Sequence, residues 1–527
     1  MEAVRQAIHP VDLAVIGLYF LVVIVIGVYV ARQMKSGEDL FLAGRSLTWF
    51  AIGFSLFASN ISTTTIIGLA GSAYADGISV SAYEWAAGIP LILLAFVYAP
   101  LYLRAKITTV PEYLEVRYDR RVRLYFSATT IALTVLVDMA GGLYASAVIA
   151  RTFFPGVDLW VFCAGIGVFA GLYTAAGGLR AVVYTDVLQA IVLIIGSTVL
   201  TIVMFGKMDY SWDALIASAP PEHFSIVQPA DDTQLPWTGL FTGVLLLGFW
   251  YWVTNQYIVQ RVLGARNLAH AQWGSMLGGA MKLLPLFIMV LPGAMAITVF
   301  PDIPNRDMVF PVMIAQALPV GLTGLILAGL LAAIMSSLDS TLNSSSTLVV
   351  HDFVKKRHSE IGPVATRRIG SLTTLILMVI TILWAPMIES FSGLWSYLQQ
   401  AFSILVPPVA AVFLVGAFSK RATARSAFWA LAFGHLLGVG LFGLTQAGIW
   451  PLHFTVNVLV MTAASAAIMA VVSGFDAPPS DEQVGRAVWR PALALDPEAR
   501  GRPAWQDPRW HAVLVFAGVA ATLIAFW

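Results

Sequence analysis

Apolar residues in this chain run in long unbroken stretches, without the 3.6- or 2-residue alternation of a soluble helix or strand. Fourteen such stretches lie at about 11–31, 46–72, 79–103, 124–150, 159–178, 182–206, 237–259, 273–300, 320–349, 369–388, 391–418, 426–447, 453–474 and 510–527. About 20 apolar residues wound as a helix cross the hydrocarbon of a bilayer. There the backbone finds no water and must satisfy its own hydrogen bonds. The pattern therefore predicts an all-α integral membrane protein with 14 transmembrane helices. The first stretch is too long, and lacks the small-residue cleavage site, for a removable signal peptide, so it is expected to be retained.

Composition agrees with this picture. Of 527 residues, 58% are hydrophobic and 11% charged, against about a quarter charged in an ordinary soluble domain. The 30 Lys and Arg offset 29 Asp and Glu, so no bulk basicity points to nucleic acid. One cysteine, Cys163, leaves no internal disulfide framework and no multi-cysteine zinc site. Charge placement says more than charge number. If the stretches alternate across the membrane, 25 basic residues fall on one side and four (Arg5, Arg151, Lys207, Arg306) on the other, with Lys282 inside a span. Basic residues favour the cytoplasmic face, so both termini are expected outside. The sizeable connectors are 207–236 and 301–319, outside, and a cytoplasmic linker at 475–509. None has room for a soluble catalytic domain.

Two spans are interrupted. The second carries Ser59-Asn60-Ile61-Ser62-Thr63-Thr64-Thr65 at its centre, between Gly53 and Gly68. Packing of small hydroxyls between helices would explain one or two of these residues; the whole run predicts an unwound segment. The seventh carries Gly248-Phe249-Trp250-Tyr251-Trp252-Val253-Thr254-Asn255-Gln256, for which an interfacial aromatic belt is the plainer reading. Matching interruptions five spans apart point to an inverted-repeat transporter with its site near the bilayer midplane. Spans two to six and seven to eleven are the expected halves.

Intramembrane polar groups are functional candidates because lipid penalises them. Ser336, Asp339, Ser340 and Asn343 share one face of the ninth span, with Ser337 beside them. Such an oxygen-rich stripe suits a weakly held sodium ion, although Ser/Thr packing alone would also account for it. Glu84 and Lys282 are costly for their depth. Glu84 could accept two hydroxyls of a polyol and Lys282 could donate to a solute oxygen; a structural ion pair is the alternative. Gln399 reaches a similar depth. Asp138 and Asp186 are further carboxylates, the second suited to an ion route or to a salt bridge with Arg180. Gly438-Val439-Gly440-Leu441-Phe442-Gly443 matches a dinucleotide fingerprint but lies inside an apolar span with no preceding strand, so it is helix packing. No metalloprotease or nucleophile-elbow motif occurs, the histidines lack metal-ligand spacing, and an enzyme is not expected.

Seven co-linear motifs resemble the sodium/solute symporter family, especially its sodium/glucose cotransporter branch. They are Ala58-Ser59-Asn60-Ile61-Ser62, Tyr83-Glu84-Trp85, Gly177-Gly178-Leu179, Thr185-Asp186-Val187-Leu188-Gln189, Asn255-Gln256-Tyr257-Ile258-Val259-Gln260-Arg261, Lys282 with Val290-Leu291-Pro292-Gly293, and Ser336-Ser337. The resemblance implies a five-plus-five inverted-repeat (LeuT-type) core. In this chain that means a leading helix and loop (1–45), a first repeat (46–206), an extracellular loop (207–236), a second repeat (237–418), and three trailing helices with the linker (419–527). It implies a sodium site made of the carbonyls of Ala58, Ile61 and Ala333 with the hydroxyls of Ser336 and Ser337. Sugar contacts carry over to Glu84, Lys282 and Gln399, with Asn60 and Trp252 lining the site. Tyr251 would be the inner gate, and Tyr83 with Trp395 the outer gate.

Three positions depart from the sugar transporters. Thr65, at a substrate-lining position, stands where they often carry Gln or His, Ala87 where a serine can bind, and Gly248 where an asparagine can. Asp339 is a further departure, and with Asp186 it resembles a second cation site.

The expected function is sodium-coupled uptake of a hexose such as glucose or galactose by alternating access. Alternative solutes are inositol or another polyol, sialic acid, a carboxylate or an amino acid; a channel or sensor is the more distant rival. The expected partners are a small sugar, sodium and the lipid bilayer, with no nucleic acid and no obligate protein partner evident. The expected location is the plasma membrane, or the inner membrane of a bacterium, as a multi-pass protein.

Overall fold

The computed structural model describes residues 9–31, 42–153, 156–174, 179–354, 361–390, 394–494 and 503–527. The described residues are all-helical apart from two isolated bridges. Among the described residues, ten helices are long and apolar enough to cross a membrane, or eleven if one bent pair counts as a single span. Three shorter apolar segments, Pro10–Ile26, Leu159–Val168 and Leu322–Leu331, accompany them. The Gly177-Gly178 motif lies outside the described residues.

We label the elements α1 (Pro10–Ala31), α2 (Trp49–Asn60), α3 (Thr63–Asp76), α4 (Ile78–Ala105), α5 (Arg120–Arg151), α6 (Leu159–Thr174), α7 (Leu179–Gly206), α8 (Trp237–Thr254) and α9 (Gln256–Leu263). After these come α10 (Leu268–Val299), α11 (Leu322–Leu348), α12 (Pro363–Trp384), α13 (Leu394–Phe418), α14 (Ala424–Gln446), α15 (Phe454–Phe475) and α16 (Pro508–Ala525).

The polar run of the second span breaks it. α2 and α3 meet at a 58° bend across Ile61 and Ser62, and Ser62 caps α3 through its side chain. Glycines let the halves of this broken span approach α10 closely, as small residues do between membrane helices. A Cβ on Gly53 would lie 2.6 Å from Leu277, and one on Gly293 would lie 2.4 Å from the carbonyl oxygen of Ala70 in α3. α2 also packs on α7, and α11 lies against α1 and α7. Asp12 fixes α1 there by accepting from the backbone N–H groups of Gly321 and Gly324 at 2.7 and 2.8 Å.

The second interruption is subtler than a fully unwound segment. Trp250–Thr254 winds as a wide π-turn; Asn255 then leaves the helix (φ −72°, ψ 124°) before α9 begins. Similar wide turns occur at Leu94–Tyr98, Thr134–Met139, Leu286–Val290 and Val349–Val354.

Some basic residues counted with the loops prove to be buried structural groups. Arg117 donates to the carbonyls of Gly416, Ser419 and Ala422 at 2.8, 2.7 and 3.0 Å. Arg123 pairs with Asp352, Glu112 and Glu115. The linker after α15 is docked as well. Gln483 donates to the backbone of Arg117 and Tyr118, and the Trp489 indole donates to Phe96 at 2.8 Å.

Candidate functional site

Both helix breaks open onto one cavity of about 120 Å³. One water takes a share of about 30 Å³ in the liquid, so the space is on the scale of a small solute rather than of a single water. Among its lining residues are Asn60, Thr65, Tyr83, Glu84, Asp138, Tyr251, Trp252, Ser337, Trp395 and Gln399. A wider vestibule of about 720 Å³ shares Tyr83, Trp395 and Gln399 with it. The Tyr83 and Trp395 rings meet edge to face with centroids 5.4 Å apart, so the pair stands between vestibule and cavity as a lid. Gly68 leaves room for that indole: a Cβ there would lie 2.8 Å from Trp395.

The charged core of the site differs from what depth alone suggested. The Lys282 ammonium donates to the Glu84 carboxylate and to Asn60 Oδ1, and lies 5.5 Å from the centroid of the Trp252 ring. Lys282 is fully buried and does not line the cavity. It therefore stands behind the wall and positions Glu84, Asn60 and Trp252, which do line it. Thr65 turns its hydroxyl to the Asn60 carbonyl at 2.8 Å and is partly used inside the broken span. Tyr251 and Tyr257 share a hydroxyl hydrogen bond of 2.5 Å at the second break.

The first break also frees backbone oxygens. In a continuous helix Ala58 O would accept from Ser62 N–H and Ile61 O from Thr65 N–H. Here Ser62 N–H turns to Asn60 O at 2.8 Å, and Thr65 N–H faces the Ser62 hydroxyl at 3.5 Å. Across from them, Ser337 Oγ is buried and has no hydrogen-bond partner. Thr63 of α3 reaches the Leu330 carbonyl of α11 at 3.4 Å, and Ala333 is buried in the same helix. The side chains of Ser336 and Asp339 lie outside the described residues. Among the described residues no three His, Cys, Asp or Glu side chains converge. Among the described residues, the oxygens this region offers a cation are neutral ones, a donor set that fits a weakly held hard ion.

Asp186 has a basic partner from the second broken span. It is fully buried and forms an ion pair with Arg261 of α9 at 3.3 Å; the Arg180 side chain lies outside the described residues. Ser55 and Ser59 donate to its Oδ2 at 2.6 and 3.3 Å. Arg261 also donates to Ser55 at 2.9 Å and to Ser340 at 3.1 Å. The carboxylate offered to a second cation is thus engaged by a guanidinium that joins both broken helices to α11. Sequence reasoning missed Arg261, counting it as a loop charge because it follows an apolar stretch. It also missed Tyr257 and Trp250, which line the cavity, and left Asp138 without a role.

Comparison with known proteins follows the same direction. Residues 40–434 match the family model described as Sodium:solute symporter family. The chain is 33% identical to human sodium/myo-inositol cotransporter 2, over 92% of this chain and 79% of that protein. It is 32% identical to human sodium/glucose cotransporter 4, over 96% and 83% respectively. These relatives are transporters rather than enzymes. In fold it is similar to a substrate-bound, outward-open sodium-coupled sialic acid symporter (TM-score 0.78, 24% identity, 90% of this chain and 99% of that one). It is also similar to a nucleobase-cation-symport-1 family transporter in a closed conformation (TM-score 0.57, 14% identity, 86% and 99%). A broken helix with free carbonyls, a lidded polar cavity between two breaks and this sequence kinship converge: the chain belongs to the sodium:solute symporter family and is a multi-pass, sodium-coupled solute transporter.

Proposed function

We propose that this protein carries a neutral polyhydroxylated solute, a hexose or a cyclitol, together with sodium by alternating access. The observation that supports this most directly is the cavity wall. Glu84, Asn60, Gln399 and Thr65 offer hydrogen-bond partners, while Tyr83, Tyr251, Trp252 and Trp395 offer flat faces suited to a sugar ring. Relatives named for glucose and myo-inositol support the same solute class.

Sodium enters from outside and takes the carbonyls of Ala58, Ile61 and Ala333 with the hydroxyls of Ser336 and Ser337. It thereby ties the broken span to α11 and preorganises Asn60 and Thr65 for the solute. Coupling is the difference in affinity of the two cargoes for outward and inward states. One charge crossing 100 mV releases about 2.3 kcal/mol, and a tenfold sodium gradient about 1.4 more. A single ion thus sustains roughly 500-fold accumulation of a neutral solute. In this reading the chain crosses the plasma membrane, or a bacterial inner membrane, fourteen times with both termini outside. Asp339 remains the candidate for any second cation, with Asp186 held by Arg261.

The test is uptake of a labelled hexose and cyclitol panel into proteoliposomes, with and without an inward sodium gradient. Saturable accumulation that collapses when the gradient is removed is expected. Equilibration without accumulation, or uptake indifferent to sodium, refutes it.

A further inference from the structure

The room inside the cavity depends on what its walls leave out, and α5 leaves out a side chain. Protein interiors are close-packed, so a methyl added to a buried glycine normally meets a neighbour at once. Gly53, Gly68 and Gly293 obey that rule: a Cβ on each would lie 2.6, 2.8 and 2.4 Å from another residue. Gly142 of α5 is buried as well, yet a Cβ there would find no neighbouring atom within 4 Å. Other glycines with the same freedom, such as Gly165, Gly440 and Gly474, are exposed on outer helix faces. The open space over Gly142 is therefore internal, and the cavity that Gly142 lines accounts for it. Gly248 lines the cavity too, but Pro90 already stands 3.2 Å from its Cβ position. Beside Gly142 the wall is continued by Met139, three residues earlier, by Leu338 of α11, and by Leu398, which lies 3.1 Å from the Cβ position of the adjacent Gly141. The groups suited to ring hydroxyls, Asn60, Glu84 and Gln399, come from other helices, α2, α4 and α13.

We propose that Gly142 is a specificity-determining residue that makes room for an exocyclic carbon on the solute ring. A hexopyranose carries such a carbon in its hydroxymethyl group. A pentopyranose such as xylose lacks it, and the hydroxyls of a cyclitol all sit directly on the ring. A ring without the extra carbon leaves the space over Gly142 empty and forfeits the contacts available there. Within the polyhydroxylated class the cavity thus selects a hexose over a cyclitol. This rests on the solute reading above and sharpens it. Filling or forfeiting one methylene-sized space changes discrimination about tenfold or more.

The experiment is competition against a tracer of whichever labelled solute the panel identifies, at fixed sodium, in proteoliposomes of the full chain. The competitors are glucose, xylose and myo-inositol. In the wild type, glucose is expected to half-inhibit at about tenfold lower concentration than either of the others. In Gly142→Ala glucose is expected to lose about three- to tenfold, and in Gly142→Val tenfold or more. Xylose and myo-inositol should stay within about threefold, and the sodium half-saturation should not move. A wild type that transports a panel solute without preferring glucose overturns the role of Gly142, and that arm needs no variant to fold. Equal loss of all three competitors in Gly142→Ala, or no loss of glucose, overturns it too. So does a melting temperature of Gly142→Ala below that of the wild type, since a methyl entering open space displaces nothing. A wild type that transports no panel solute overturns the broader reading of the solute class instead.

Discussion

Removing one partner of the Glu84–Lys282 pair leaves a charge buried and unmatched, whereas removing both leaves none. Breaking a buried pair from one side costs about 3–5 kcal/mol, and replacing both partners by neutral groups of similar volume is close to neutral. The structure orders the single variants. In Glu84→Gln the ammonium keeps Asn60 Oδ1 and the Trp252 face and gains an amide oxygen, which places the loss near 3 kcal/mol. In Lys282→Met the Glu84 carboxylate loses the ion-pair partner it has in the structure, which places the loss near 5 kcal/mol. The double variant Glu84→Gln/Lys282→Met is expected within about 1 kcal/mol of the wild type, a coupling of several kcal/mol between the two sites. The assay is the melting temperature of detergent-purified protein followed by size-exclusion recovery, in parallel with proteoliposome uptake. Both single variants should melt lower, Lys282→Met lowest. The double should recover its melting temperature but not its uptake, because Glu84 also lines the cavity. A double variant whose loss equals the sum of the singles would refute the pairing.

Three further outcomes are expected. Ser337→Ala should raise the sodium concentration for half-maximal uptake about three- to tenfold while leaving melting unchanged, because its hydroxyl has no internal partner to lose; unchanged sodium activation removes Ser337 from the ion site. Gly293→Ala drives a methyl to 2.4 Å from the Ala70 carbonyl, against backbone that cannot give, and should cost about 2 kcal/mol or more and lower the yield of monodisperse protein. Gly142→Ala, with nothing within 4 Å, is its neutral control. His453 sits outside the spans, and burial holds its imidazole below the usual histidine range of about 6.5. The unfolded chain therefore takes up the proton first, and stability should be full above pH about 6.5 and fall as pH drops toward the folded value. His453→Gln should flatten that acid limb; an unchanged limb would assign it to other groups.

The break in the second span was legible because its polar residues are adjacent in sequence: a run from Ser59 to Thr65 cannot be hidden on one helix face. The Tyr83–Trp395 lid came through the family resemblance. Partnership was not legible. Glu84 and Lys282 each showed as too costly for its depth, with a structural ion pair as the alternative to solute contact, but the pairing of one with the other spans 198 residues and leaves no local signature. Arg261 shows the opposite failure. Counting basic residues near span ends cannot see that α9 continues inward past Asn255 and carries its guanidinium to Asp186. Asp138 was visible as an acid in an apolar stretch, yet where it points depends on a wide turn that no hydrophobic periodicity reports.

Those wide turns make helix length itself a variable. Each holds one more residue than regular winding requires, so deleting a single residue from Thr134–Met139 lets the coil close up without stretching the chain. Because the turn itself absorbs the extra residue, the helix on either side keeps its register, and only side chains within the turn change the direction they face. Asp138 would swing away while Arg123 and its acidic neighbours at the end of the same rod stayed anchored. Indels at these five places, more readily than point changes, offer this scaffold a way to redecorate its inner surface while keeping its outer joints.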